Sequence, residues 1–197
     1  MSDQFQHVMV LTSIIIGLGI TNALLGLSGA IERYTETARP VKLSWAWAFW
    51  LGYGFLAMIH FWWWEFRLVD ILKQWTLWNY FLIISYAVSF FLSVALLVPS
   101  NWEKVDDLNA YFLAKRRWFY SVFLLTSVFD LCDSYMKGGW PYVRSLGVVS
   151  VGLTVSALPA AVIGWRSTRM RTHAIMGAIY LVWQILAGFD AFPVLKI

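Results

Sequence analysis

Residues 8–31 read VMVLTSIIIGLGITNALLGLSGAI and contain no charged side chain. A helix of roughly 20 apolar residues is long enough to cross the hydrocarbon core of a bilayer, which is about 30 Å thick. The rest of the chain has the same character, because 60% of its 197 residues are hydrophobic and only 13% are charged. A soluble domain averages about 25% charged residues. This composition excludes a single water-soluble globule, a disordered chain and a disulfide-stapled secreted module.

Five further segments are also long enough to span a bilayer. They are residues 43–64, 75–98, 118–136, 145–165 and 174–195. The segments 118–136 and 174–195 contain acidic residues, whereas the other three contain no acidic or basic residue other than histidine. The sequence therefore predicts an all-α integral membrane bundle of about six transmembrane helices, in which residues 1–197 form a single domain. The first residues carry no basic n-region, so the first apolar segment is not predicted to be a cleavable signal peptide.

The basic residues are concentrated in alternate connections between these segments. The first, third and fifth connections hold ten of the fifteen Lys and Arg residues. Because positive residues are retained on the cytoplasmic side, this bias predicts a multi-pass membrane protein with these three connections in the cytoplasm and both termini outside. The basic residues form no continuous stripe, so nucleic acid is not an expected partner. The ten residues are Arg33, Arg39, Lys42, Lys104, Lys115, Arg116, Arg117, Arg166, Arg169 and Arg171.

Three further patterns concern how the chain is organised. Residues 11–13 and 125–127 both read Leu-Thr-Ser, which is compatible with a 3+3 inverted repeat. Ser100 precedes Glu103 with the spacing of a capping box. We therefore expect an amphipathic helix on the inner surface before the fourth span. Apolar residues recur on one side of residues 68–75, which predicts a short helix on the outer surface.

Small residues recur on one face of the first span. Gly19, Asn22, Gly26 and Gly29 follow one another at spacings of three and four residues, and such faces let membrane helices approach closely. Tight helix packing is one interpretation of this glycine face. The other is that it lines a pore or a substrate slot, with Asn22 as a ligand.

Titratable residues inside the spans are the strongest indication of function, because a charge within the bilayer is costly. The predicted orientation places them all toward the outer side, with no Lys or Arg expected at comparable depth. In one interpretation Asp133 simply pairs with Lys137 and water hydrates Asp190. In a second, the residues form an outward-facing acidic vestibule for cations or protons. In a third, they form a metal or substrate site. The residues are His60, Glu65, Asp130, Asp133 and Asp190.

No enzyme motif is present among the recognised short signatures. The chain has no His-Glu-x-x-His, no Gly-x-Ser-x-Gly and no P-loop, so we predict no catalytic residue and leave enzymatic activity undecided. We also predict no cofactor, while a quinone near His60 and a divalent metal stay open. Cys132 is the single cysteine, so an internal disulfide is impossible.

Two functional hypotheses follow from these patterns. The first is a channel- or transporter-like protein with the acidic vestibule described above. The second is a non-catalytic structural or assembly subunit of a larger membrane complex, which would dock through the glycine face and its aromatic surfaces. Both hypotheses imply the lipid bilayer as a partner, together with further copies of the chain or other membrane subunits.

Two stretches carry a resemblance to known proteins. They are Gly17-Leu18-Gly19-Ile20-Thr21-Asn22 with the following Leu24-Leu25-Gly26-Leu27, and Phe61-Trp62-Trp63-Trp64-Glu65-Phe66. They resemble the first two spans of an uncharacterised family of small bacterial multi-spanning inner-membrane proteins. The resemblance covers about a third of the chain. It implies a bacterial cytoplasmic membrane and brings no activity with it.

Overall fold

The computed structural model describes residues 3–36, 38–72 and 75–191. Over these residues the chain forms helices and no β-strand, so the all-α prediction is confirmed. A short 3₁₀ turn at Trp102–Lys104 precedes the longest helix. The helices are α1 (Asp3–Thr35), α2 (Trp45–Glu65), α3 (Leu68–Ile71), α4 (Leu77–Leu97), α5 (Leu108–Ser145), α6 (Gly147–Arg166) and α7 (Met170–Ala191).

Within the described residues, two helices have the length and apolar character needed to cross a membrane. They are α1, from Phe5 to Thr35, and α4, from Leu77 to Leu97. A shorter apolar helical segment, Val151–Arg166, lies in α6. The count of six spans goes beyond these helices and stays a prediction.

Helix α2 lies at the centre of the helix packing. It packs along α7 and also contacts α1, α4 and α5, while α1 packs along α4, α4 along α5 and α5 along α6. A 3+3 repeat would make α5 and α7 the counterparts of α1 and α4. Within the described chain, α5 and α7 do not pack closely along each other as α1 and α4 do. The helix packing therefore gives the inverted repeat no support.

The first and third connections meet at one end of the molecule, which we call the basic end. The backbone N–H of Lys42 donates to the Asp106 carbonyl at 2.8 Å, and the N–H of Leu108 donates to the Lys42 carbonyl at 3.0 Å. Arg39 forms an ion pair with Asp106 at 2.6 Å. The two connections that the charge pattern assigns to the same side of a membrane thus lie side by side in the structure.

Asp107 caps the N-terminus of α5 at this end. Its Oδ1 accepts a hydrogen bond of 2.7 Å from the backbone N–H of Asn109. Partial burial raises the pKa of this carboxyl, but the hydrogen bonds from Asn109 and the charge of Lys42 outweigh burial, and the pKa lies below its ordinary value. The cap therefore remains a carboxylate down to lower pH than a free aspartate would, and it satisfies free N–H groups at the helix start.

The predicted surface helix after Ser100 is wrong. Asn101, and not Ser100, accepts from the N–H of Glu103, at 2.9 Å, and the helical turn that follows ends at Lys104. A second capping residue, Asp107, then begins α5. Two caps so close together divide the segment into the turn Trp102–Lys104 and the start of α5 at Leu108. The second connection contains a short helix, α3, but it ends at Ile71 and Leu72 is extended, so only the first part of the predicted segment 68–75 forms it.

The glycine face of α1 packs against side chains of the same chain. A methyl group on Gly19 would meet Met58 and the backbone of Phe91, and one on Gly26 would meet Val98. Gly29 lies against Trp102, and Asn22 is half-buried on the same helix. This close approach is what tight packing requires. The glycine face is therefore occupied by side chains of the same chain, although the subunit hypothesis assigned it to docking with a partner.

Gly26→Leu should therefore weaken the packing of α1 on α4. We expect it to cost about 1–3 kcal/mol of stability, because extra side-chain volume in a close-packed contact forces neighbouring groups apart. Gly17 lies on the same helix with open space around its Cα, so Gly17→Leu is the matched control. Thermal unfolding of the purified proteins in detergent measures both. Equal melting temperatures for the two variants would contradict this account of the face.

Candidate functional site

A pocket of about 150 Å³ lies among α2, α4, α5, α6 and α7, away from the basic end. We call it the acidic pocket. Four of the five predicted site residues line it, namely His60, Glu65, Asp130 and Asp133. Asp190 falls near the end of α7, and its side chain lies outside the described residues. Part of the wall is aromatic, formed by Tyr53, Phe61, Trp64, Tyr86 and Phe90.

A buried lysine joins two of these acids. Lys137 Nζ lies 2.9 Å from Glu65 Oε1 and 2.5 Å from Asp133 Oδ2. Glu65 is the last residue of α2, whereas Asp133 and Lys137 are one turn apart on α5. All three side chains are buried, with 1% to 5% exposed. We call these three residues the carboxylate–lysine cluster.

The cluster corrects one expectation and refines another. The expectation that no Lys or Arg lies at the depth of the acids is wrong, because Lys137 is as buried as they are. The pairing of Asp133 with Lys137 is present, but the same ammonium also holds Glu65 from another helix. Glu65 is a predicted site residue, but its contact with Lys137 was not predicted. Glu65 and Lys137 are 72 positions apart, and only the packing of α5 beside α2 shows that they meet.

Each carboxylate of the cluster has one oxygen left over. Glu65 Oε2 and Asp133 Oδ1 have no hydrogen-bond partner among the described residues and almost no accessible surface. Buried polar atoms are nearly always hydrogen-bonded, because an unpaired one keeps the cost of losing its water. Both residues line the acidic pocket. Each therefore brings to the pocket one buried oxygen that could still accept a hydrogen bond.

Asp130 lies one turn before Asp133 and joins three helices. It accepts hydrogen bonds from Tyr86 Oη of α4 at 2.8 Å and from Thr154 Oγ1 of α6 at 2.5 Å. Hydroxyl donors on both oxygens stabilise a charged carboxylate. Sequence reasoning found Asp130 but missed Tyr86 and Thr154, because single hydroxyl groups are common in apolar helices and carry no distinguishing pattern.

His60 connects α2 to α7 at the same pocket. Its Nδ1 lies 2.7 Å from Gln184 Nε2. An amide nitrogen can only donate, so Nδ1 accepts and the ring proton of the neutral imidazole is on Nε2. The side chain of His60 is thus fixed in one tautomer beside the pocket.

A break in α5 shapes the wall of the pocket beyond Lys137. Gly138 and Gly139 have non-helical backbone angles, and Gly139 has a φ of 64°. This left-handed conformation favours glycine over other residues. Pro141 follows at the start of the next helical turn, where its missing N–H is tolerated. The chain therefore turns immediately after the lysine, and Tyr142, Val143 and Leu146 complete the wall.

The arrangement of the described side chains in the acidic pocket does not fit a metal ion. Within the described part of the chain, no group of three or more His, Cys, Asp or Glu side chains is placed to hold one. Lys137 lies between the two carboxylates, where a divalent ion would need to lie.

No protein-family model matches the chain, and no curated protein or solved structure shows significant similarity to it. The acidic pocket is therefore the basis for assigning a function.

Proposed function

We propose that the protein is a six-span membrane protein that transports cations or protons through the acidic pocket. In this proposal the spans are α1, α2, α4, α5, α6 and α7. The basic end faces the cytoplasm and the acidic pocket opens to the outside, with both termini there. The resemblance of the first two spans supports a bacterial cytoplasmic membrane as the location.

The observation that carries the proposal is the cluster of ionisable groups buried inside a largely apolar helix bundle. Glu65, Asp133 and Lys137 are buried together, and Asp130 faces the same pocket. A charged group at bilayer depth costs at least a few kcal/mol, and membrane proteins place such groups along ion or proton pathways. Three carboxyl groups with one ammonium favour the entry of positive charge.

Asp130→Asn is expected to reduce ion flux to the background of protein-free vesicles. The amide has nearly the same size and keeps one oxygen for a hydroxyl donor, but it cannot carry the negative charge that attracts a cation or accept a transported proton. The measurement is the rate of change of internal pH or ion concentration in vesicles that contain the purified protein.

Asp70→Asn is the matched control, since Asp70 is an exposed acid on α3 outside the pocket. It should leave the flux unchanged. Transport is contradicted if single neutral substitutions at His60, Glu65, Asp130 and Asp133 all leave the flux at the wild-type rate.

The subunit hypothesis is the second proposal, and it now depends on the exposed aromatic surface. Trp78 and Trp118 are 75% and 69% exposed, which suits either lipid or a neighbouring subunit. If the protein is a subunit, Asp130→Asn should have no effect on function, and substitutions at these two tryptophans should disrupt co-purification with a partner.

A further inference from the structure

The carboxylate–lysine cluster contains more negative than positive charge. Two carboxylates share one ammonium, so the cluster has a net charge of −1 when all three groups are ionised. The described groups that face it add no compensating cation on the pocket side. They include Tyr53 and His60 from α2, Tyr86 from α4, Asp130 and Tyr142 from α5, Thr154 from α6 and Gln184 from α7.

The position of the excess charge is visible in the hydrogen bonding. Glu65 Oε2 and Asp133 Oδ1 have no partner in the described structure, and each belongs to a side chain that is at least nine-tenths buried. Lys137 already bonds to the other oxygen of each residue. The two free oxygens therefore lack a donor or a positive charge.

We infer that the ion bound at the acidic pocket is a proton, held by Glu65 or Asp133, with Lys137 fixed between them. This inference rests on the proposed transport function and names its ion. A proton binds to one free carboxylate oxygen and converts that group to the neutral acid. The other carboxylate then balances the ammonium of Lys137, and the cluster becomes neutral.

A metal or alkali cation fits the same place less well. Such ions need several oxygen ligands at once, and the two free oxygens have almost no accessible surface. Lys137 Nζ already bonds both carboxylates, so a second cation would have to displace it. A proton needs neither a ligand shell nor the departure of the lysine.

The pocket offers a route by which the proton reaches the cluster. Asp130 is partly exposed and lies one turn from Asp133 on α5, and His60 lines the same space. Because the two free oxygens have almost no accessible surface, a proton from water in the pocket reaches the cluster through these groups. Release to water in the pocket restores the net charge of −1.

Infrared spectroscopy of the full chain in detergent tests this assignment, because a protonated carboxyl group has a C=O band distinct from that of a carboxylate. The wild-type protein should show such a band at neutral pH, and the band should disappear as the pH is raised. Glu65→Gln and Asp133→Asn should each abolish it, because one carboxylate then balances one ammonium. Asp70→Asn, on the surface, should retain it.

Two conservative variants keep the test valid if the amide variants do not fold. Glu65→Asp and Asp133→Glu retain both acids, and the one that alters the proton-carrying group should shift the band. The assignment is overturned if the wild type shows no band from a protonated carboxyl group, if substitution of neither Glu65 nor Asp133 affects the band, or if sodium or potassium ions remove it at constant pH.

The band and the flux test different proposals. A band without flux would contradict transport and leave the proton site standing, whereas flux without the band would indicate another ion.

Discussion

Lys137→Met is expected to lower stability by about 3–5 kcal/mol, because removal of one partner from a buried ion pair leaves an uncompensated charge. Here the methionine would leave Glu65 and Asp133 buried without the ammonium that lies between them, so the carboxylate that balances it loses its counter-charge. Methionine keeps much of the volume of the lysine stem, so the loss reports on charge more than on packing. Thermal or denaturant unfolding of the purified protein measures the effect.

Lys115→Met is the matched control, because Lys115 is an exposed lysine on the same helix. We expect it to change stability by no more than about 0.5 kcal/mol, as is usual for surface substitutions. A loss at Lys115 comparable to that at Lys137 would show that the buried charges are not the cause.

The triple variant Lys137→Met, Glu65→Gln, Asp133→Asn separates charge from shape. It removes all three ionisable groups, so it should recover most of the stability lost in Lys137→Met, since a buried ion pair is often no more stable than a neutral replacement. The deficit of the single variant should also shrink as pH falls, because protonation of both carboxyl groups removes the unbalanced charge. A deficit that is independent of pH and persists in the triple variant would contradict this explanation.

The parts of the fold that the sequence predicts are those that depend on local patterns. Apolar runs predicted the helices, and the three-residue spacing of Asp130 and Asp133 placed both on one side of α5. The three glycines of α1 indicated either a close helix contact or the lining of a pore, and the first of these is present. In each case the information lies within a few turns of one helix, where the 3.6-residue period determines which side chains share a face.

The parts that the sequence did not predict depend on how helices pack. Nothing near Glu65 in the sequence indicates Lys137, and nothing near Asp130 indicates Thr154 on α6. The start of α5 at Leu108 was not predicted for a different reason. Asn101 and Asp107 are both good capping residues, and a capping-box pattern at Ser100 cannot show which cap the chain uses.

The central aromatic cluster is a further feature that composition alone did not reveal. Trp50 has no exposed surface, and its ring lies 5.1–5.5 Å, between centroids, from four other rings. Its Nε1 donates to the backbone carbonyl of His173 at 3.1 Å. The neighbouring rings are those of Phe119, Tyr120, Phe123 and Tyr180.

His173 ties this cluster to the turn between α6 and α7. Its Nε2 lies 3.2 Å from the Ser167 carbonyl, which can only accept, so Nε2 carries the proton. Its Nδ1 is then the acceptor for the hydroxyl of Tyr120 at 2.9 Å. Trp50, Tyr120 and His173 therefore link α2, α5 and α7 through directed hydrogen bonds as well as ring packing.

Trp50→Ala should consequently cost about 3–5 kcal/mol, the range for aromatic truncation in a close-packed core. The loss is expected in a membrane too, because an emptied site forfeits its van der Waals contacts whatever solvent surrounds the protein. Trp45→Ala is the control on the same helix, since Trp45 is 76% exposed, and it should change stability by no more than about 0.5 kcal/mol.

Trp50→Phe distinguishes the ring from its hydrogen bond. It retains an aromatic ring in the cluster but removes the donor to the His173 carbonyl, so we expect a loss between those of the other two variants. The unfolding of all three proteins in detergent is monitored by the circular dichroism of the helical backbone, because this signal does not rely on tryptophan fluorescence. If Trp45→Ala and Trp50→Ala unfold at the same temperature, the cluster does not hold α2, α5 and α7 together. If Trp50→Phe is as unstable as Trp50→Ala, the hydrogen bond of the indole N–H contributes more to the link between α2, α5 and α7 than the packing of the rings does.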